Sequence, residues 1–271
     1  MMITGVSLTV GGIAIMKPKS YANKKFGDNK ARLEEYKLSL VEGPGGWFGL
    51  PHVMFHTHFY NYVPYLVPNY PFFAVERDRG TFNMMRQGMI ALMTNNVDFD
   101  DDYEGGFTDN AYYETGRNSI IGQMIEYYGE LIVKHGDLFD TLFSSYPATK
   151  YIQNGSGKIR KPQYSYGHLD FCCTAATLTD EHIEFNLRKL AKWWNLKSPF
   201  HLDITVALRG DANWASANLL LQHAIPTIFQ QLHWNLKSYF TTTYSDTSNK
   251  MATGFYVFYK DYSYTKNGGG S

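Results

Sequence analysis

Charge is scarce in this chain. Asp, Glu, Lys and Arg make up 18% of its 271 residues, against about a quarter in an ordinary soluble domain. The two signs balance at 25 each, which argues against a broad electrostatic footprint for nucleic acid. The most basic stretch, residues 17–32, is short and mixed in sign, and reads as a solvated connector.

Cysteine is nearly absent. Cys172 and Cys173 are the only two, and they are adjacent. Neighbouring cysteines make a strained bridge, so no disulfide framework is available. "HLDFCCTAATL" reads as a buried strand in which both are small core residues. Long apolar runs are missing too, and none reaches the length of a membrane span. The N-terminal "MMITGVSLTVGGIAIMKPKS" has neither a positive region ahead of its apolar stretch nor a small-residue cleavage site, so no signal peptide is expected.

The common catalytic signatures are also missing. "NGSGK" at 154–158 lacks the rest of a phosphate loop. The glycine pairs do not match a dinucleotide fingerprint, and no G-x-S-x-G elbow is present. In the acidic segment, Asp100, Asp102 and Glu104 open a calcium-like spacing, but Ala111 stands where the bidentate acid is required. "RGD" at 209–211 is ordinary turn chemistry.

Aromatic residues are abundant instead: 21 Tyr and 18 Phe, with aromatics at 16% overall. A tyrosine presents an apolar ring and a polar tip, which suits half-buried sheets and contact surfaces. Alternation marks strands over 3–16, 201–208 and 251–265, and aromatic, β-branched stretches mark 47–60 and 168–177. Helical spacing covers 82–94, 118–134, 137–145 and 180–195, and Pro226 opens a further helix running to about 240. Pro64, Pro68 and Pro71 exclude regular structure between the 47–60 strand and residue 71.

The pattern predicts an α+β fold with a mixed or mainly antiparallel sheet and several packed helices. A jelly-roll-like β fold with helical insertions is the alternative. One globular domain is expected over 1–265, with an internal boundary or projecting loop at 147–166. A flexible Gly-rich tail follows at 266–271.

One constellation has metal-ligand character. In "HVMFHTHF", His52, His56 and His58 share one face of a strand, and neutral imidazoles suit zinc and similar divalent metals. A fourth partner could come from Asp170 or Asp203, each in an "HLD" triplet with His168 or His201. The competing reading is imidazoles bonded to backbone or water along a half-exposed aromatic strand.

The sequence therefore predicts a non-enzymatic structural subunit that assembles with copies of itself or with other particle proteins, most plausibly a viral or phage virion protein of the capsid, collar or tail. It predicts no cofactor and no strong direct nucleic-acid binding, with location in a virion or in host cytoplasm during assembly. A metal-dependent enzyme using the His-x-His pair and a binding or adhesion module are the alternatives.

Overall fold

The structure is a computed structural model. It describes residues 8–10, 13–15, 33, 36–37, 39–42, 45–50, 72–83, 106–107, 131–144, 152–153, 159–160, 163–171, 173–193, 195–209, 212–246 and 249–262. The chain divides into two compact units, Met1–Tyr164 and Ser165–Ser271.

In the first unit, β1 (Leu8–Val10) and β2 (Ile13–Ile15) form an antiparallel hairpin. The main strands are β3 (Gly46–Gly49), β4 (Phe72–Glu76), β5 (Gly106–Phe107) and β6 (Leu131–His135). Their spatial order is β3–β4–β6–β5. β3, β4 and β6 run parallel, and β5 is antiparallel at the edge. The reason is visible in β4. Phe72, Phe73, Ala74 and Val75 are all fully buried, so the strand is covered on both faces, as parallel strands require. Trp47 stacks on Phe72 with ring centroids 4.3 Å apart, and Tyr164 meets Phe48 and Phe73 edge-on. Helix α1 (Leu138–Phe143) follows β6 after a short turn. A small hairpin, β7 (Ile152–Gln153) with β8 (Ile159–Arg160), lies in the 147–166 segment.

The second unit begins within β9 (Tyr164–Asp170). Helices α2 (Ala175–Asp180) and α3 (Ile183–Lys192) then carry the chain to β10 (Leu196–Leu208). The Phe171 N–H donates to the Thr205 carbonyl, and the Ala207 N–H to the Cys173 carbonyl. Both sides advance by two residues, so the two segments run parallel, and the helices between them form a crossover. A second crossover follows, built from α4 (Ala212–Asn218), a π-helical turn (Leu219–Ala224) and α5 (Ile225–Gln231). It leads to β11 (Trp234–Asp246) and then to β12 (Asn249–Lys260). β12 is antiparallel to both β10 and β11 and lies between them. β11 therefore runs the same way as β10, one place removed.

Mixed sheets with packed helices match the expected mixture. The mainly antiparallel version and the jelly-roll alternative are corrected. Strands buried on both faces and joined by helical crossovers are not the strands of a two-sheet antiparallel sandwich. Other boundaries shift as well. Residues 131–134 are strand, not the end of a helix, and the helix opened by Pro226 stops at Gln231 rather than near 240. β9 ends at Asp170, and Cys173 lies half-buried beyond it.

Amphipathic α3 buries Ile183, Leu187, Leu190 and Ala191, with Glu184 in its first turn and Lys189 and Lys192 in its last, as the helix dipole favours. α5 buries Ile225, Ile228 and Phe229. The Trp234 Nε1–H donates to the Ala191 carbonyl at 2.8 Å, which ties β11 to the end of α3.

Gly254 on β12 occupies a place that no other residue fits. A Cβ there would fall on the hydroxyl and ring of Tyr256. That hydroxyl donates to the Leu221 carbonyl in the π-turn. Burial pushes the Tyr256 phenol well above its ordinary range, so the donor keeps its proton. Gly254→Ala is expected to destabilise the protein by about 1–3 kcal/mol, the usual cost of overpacking, read as a lower urea midpoint with unchanged slope.

Candidate functional site

The carboxyl end of β4 carries the first polar side chain after a run of four buried apolar residues. This is Glu76, which is half-buried. β3 lies beside β4 with Gly49 level with Ala74, so the end of β3 borders the same spot. On the other side β6 aligns His135 with Glu76. The Gly136 N–H donates to the Glu76 carbonyl at 2.9 Å. Gly136 has φ +147°, a conformation that favours glycine, and it turns the chain into α1. Asp137 caps that helix, accepting from the N–H groups of Phe139 and Asp140.

The Glu76 carboxylate accepts from the Asp78 N–H at 2.7 Å. Its pKa is raised above the ordinary glutamate value. Burial is the main cause, and the negative Asp78 adds to it. The N–H groups of Asp78 and Arg77, and the nearby His135, pull the other way. Asp78 is fixed by local geometry. The Thr81 N–H donates to its Oδ1 at 2.6 Å, and residues 79–83 are helical. Bonds from Thr81 hold the Asp78 carboxyl below its usual range. Arg79 Nη1 lies 3.4 Å from His135 Nδ1. Phe82 is buried, packs against the His135 ring at 5.4 Å, and lies beneath the Arg79 guanidinium at 5.8 Å.

A partly desolvated carboxylate at the carboxyl end of a parallel strand can bind a polyhydroxylated ligand. In open sheets with parallel strands, ligands enter at the carboxyl ends, and an acid at the end of the second strand takes ribose hydroxyls.

The histidines proposed from the sequence, His52, His56 and His58, lie outside the described residues, as does the tail at 266–271. The remaining members of that set are separately committed. His168 Nδ1 and Asp203 Oδ2 are 2.9 Å apart and buried, and the Thr253 hydroxyl donates to Asp203 Oδ1 at 3.3 Å. The Thr205 hydroxyl donates to Thr253 at 2.9 Å. His201 Nδ1 donates to the Ser165 carbonyl at 3.0 Å. Asp170 stands at the carboxyl end of β9. Among the described residues no group of three or more His, Cys, Asp or Glu could hold a metal ion. Also among them, no helix is long and apolar enough to cross a membrane.

No protein-family profile and no curated protein sequence matches the chain. Solved structures do resemble it weakly. TrmN from Thermus thermophilus is 8% identical, with 84% of this chain and 48% of that one covered and a TM-score of 0.41. An O-methyltransferase from Bacillus cereus in complex with SAH is 7% identical, over 84% and 80%, with a TM-score of 0.42. Streptococcus pneumoniae Sp1610, described as a putative tRNA (m1A22) methyltransferase, in complex with S-adenosyl-L-methionine is 8% identical, over 85% and 73%, with a TM-score of 0.42. This chain spans about half the length of TrmN.

The expectation of a non-enzymatic virion subunit (capsid, collar or tail), which rested on aromatic contact surfaces, is corrected; the solved structures named are methyltransferases. Two further expectations are corrected with it. One was no cofactor, or alternatively a metal such as zinc; the other was partners that are copies of the chain or other particle proteins, with no strong direct nucleic-acid binding. Two of these structures hold SAH or S-adenosylmethionine, and one of them is described as a putative tRNA methyltransferase. The physical reason lies in the aromatics. Tyr164, Tyr166, Tyr256, Phe48, Phe72 and Phe73 are fully buried, so side chains that suggested contact surfaces are spent in the core. A likeness this distant carries no activity over to the chain, whose function is argued from its own residues.

Proposed function

We propose that the chain binds S-adenosylmethionine at the carboxyl ends of β3 and β4 and is a methyltransferase. Glu76 carries the reading. Its carboxylate stands where a ribose diol is received, and carboxylate oxygens suit two neighbouring hydroxyls. The residues fit this group better than a dinucleotide. From the last residue of β3 the chain reads Gly49-Leu50-Pro51-His52 and lacks the glycine pattern that cradles a pyrophosphate. A nucleoside cofactor without phosphates needs no such cradle. When bound, S-adenosylmethionine supplies an electrophilic methyl group. The chain's own part is to hold the ribose through Glu76, with Asp78 fixing the carboxylate through its backbone N–H and Phe82 shielding the His135 side.

Calorimetric titration with S-adenosylmethionine and with its demethylated product tests this. Saturable one-to-one binding of both is expected, and no binding of either would overturn the reading. Glu76→Gln is expected to weaken both by roughly 10- to 100-fold, the scale of one charge-assisted hydrogen bond at about 1.5–3 kcal/mol.

The raised Glu76 pKa gives two opposite pH trends. The folded protein holds this proton more tightly than the unfolded chain. The group therefore costs stability when ionised, and that cost is relieved as pH falls through the raised pKa. Cofactor affinity moves the other way, because the protonated carboxyl loses an acceptor. Affinity should begin to fall at a higher pH than for an ordinary glutamate, and Glu76→Gln should flatten that profile.

A further inference from the structure

A second cleft lies in the second unit, between the α4–π-turn segment and β11. It holds about 110 Å³, below the range of about 300–1,000 Å³ of drug-sized sites and near the cavity of about 150 Å³ that takes up a single benzene ring. Trp214, Asn218 and Gln222 approach from the helical side, each four residues after the last, and Thr241 and Thr242 from β11. The buried side chains of Leu221 and Ala252 supply its apolar part. None of its lining residues is charged.

Three observations mark it as more than a surface dent. The Trp214 indole is 51% exposed, although such a ring usually covers apolar surface or meets a partner. The polar groups beside it are also largely uncommitted. Among the described residues, the Asn218 amide, the Thr242 hydroxyl and the Trp214 Nε1 show no hydrogen bond. Gln222 spends only one N–H, on Thr241 Oγ1 at 3.2 Å. The lining changes helix type at this point, and π-turns concentrate at functional sites.

We propose that this cleft binds a single unpaired nucleobase, stacked on Trp214 and read at its edge by the carboxamides of Asn218 and Gln222. Carboxamides offer a donor and an acceptor side by side, the complement of an adenine edge. Aromatic stacking supplies affinity without charge, which suits a neutral lining. The base could belong to a free nucleoside or to a single strand. The site is separate from the Glu76 site and does not depend on that reading.

The test is equilibrium binding of adenosine, cytidine, a short single-stranded oligoadenylate and, as a non-aromatic control, a maltose oligosaccharide, with S-adenosylmethionine titrated in parallel. Adenosine or the oligoadenylate should bind, with cytidine weaker and the sugar silent. Binding of adenosine identifies a free-nucleoside site, and binding of the oligoadenylate alone identifies a strand. Trp214→Ala should weaken base binding about 5- to 150-fold, while Trp214→Phe retains most of it. Neither should alter S-adenosylmethionine binding or the melting temperature. The proposal is overturned if neither base probe binds, if the sugar binds as well as they do, or if Trp214→Ala binds like the unaltered protein.

Discussion

Phe229→Ala is expected to lower stability by about 3–5 kcal/mol, the range for a buried phenylalanine. For a chain of this size that is a fall of roughly 8–15 °C in melting temperature. Phe229 is fully buried on α5. Its ring stacks on Phe258 at 4.3 Å and nearly parallel, and it also meets Phe200 and Trp234 at 5.9 and 6.3 Å. These neighbours come from β12, β10 and β11, so one side chain fastens the second crossover to three strands. Backbone-held strands cannot close the gap that alanine leaves. Thermal and urea unfolding followed by circular dichroism would read the loss. A change below about 1 kcal/mol would mean that α5 does not pack on the sheet in this way.

The second large effect is expected at Asp203. Asp203→Ala should cost about 2–5 kcal/mol, because it strands the buried His168 Nδ1–H, while the Thr253 hydroxyl keeps the Ile204 carbonyl as its acceptor. Asp203→Asn keeps an acceptor and should cost less. The informative comparison is the pair. If the cost of Asp203→Ala comes from a stranded histidine, then adding His168→Leu should recover part of it, since removing both partners is cheaper than removing one. Additive losses in the double variant would show that the two side chains do not interact. The effect should appear in unfolding, with S-adenosylmethionine affinity at the Glu76 site unchanged once the protein is folded.

The parts of this architecture written in local periodicity are readable from the sequence. β10 and β12 alternate over long spans, and α3 has an apolar stripe with charges of the right sign at each end. β4 is not readable in that way. Phe72 to Val75 is an unbroken apolar run directly after a proline-spaced stretch, and a strand buried on both faces has no alternation to show. β6 is hidden because Ile132 continues the helical spacing of Tyr128 and Ile125, while its pairing partners lie far away in the chain. The end of α5 is set by His233 at φ +63°, a conformation that no glycine announces. Glu76 was missed for the same reason as β4, since an acid becomes a site residue only when the strand it terminates is recognised. The histidine triplet drew attention through spacing alone, and spacing on one strand says nothing about what lies across from it.

The π-turn at Leu219–Ala224 works as a gear between two halves of one rod. A helix that takes up one extra residue turns everything before it by about 100° relative to everything after. α5 can therefore seat Phe229 and Ile228 on the strands while α4, phased separately, turns Trp214 toward β11. In an unbroken α-helix the two orientations would be locked together, and one could be chosen only at the expense of the other.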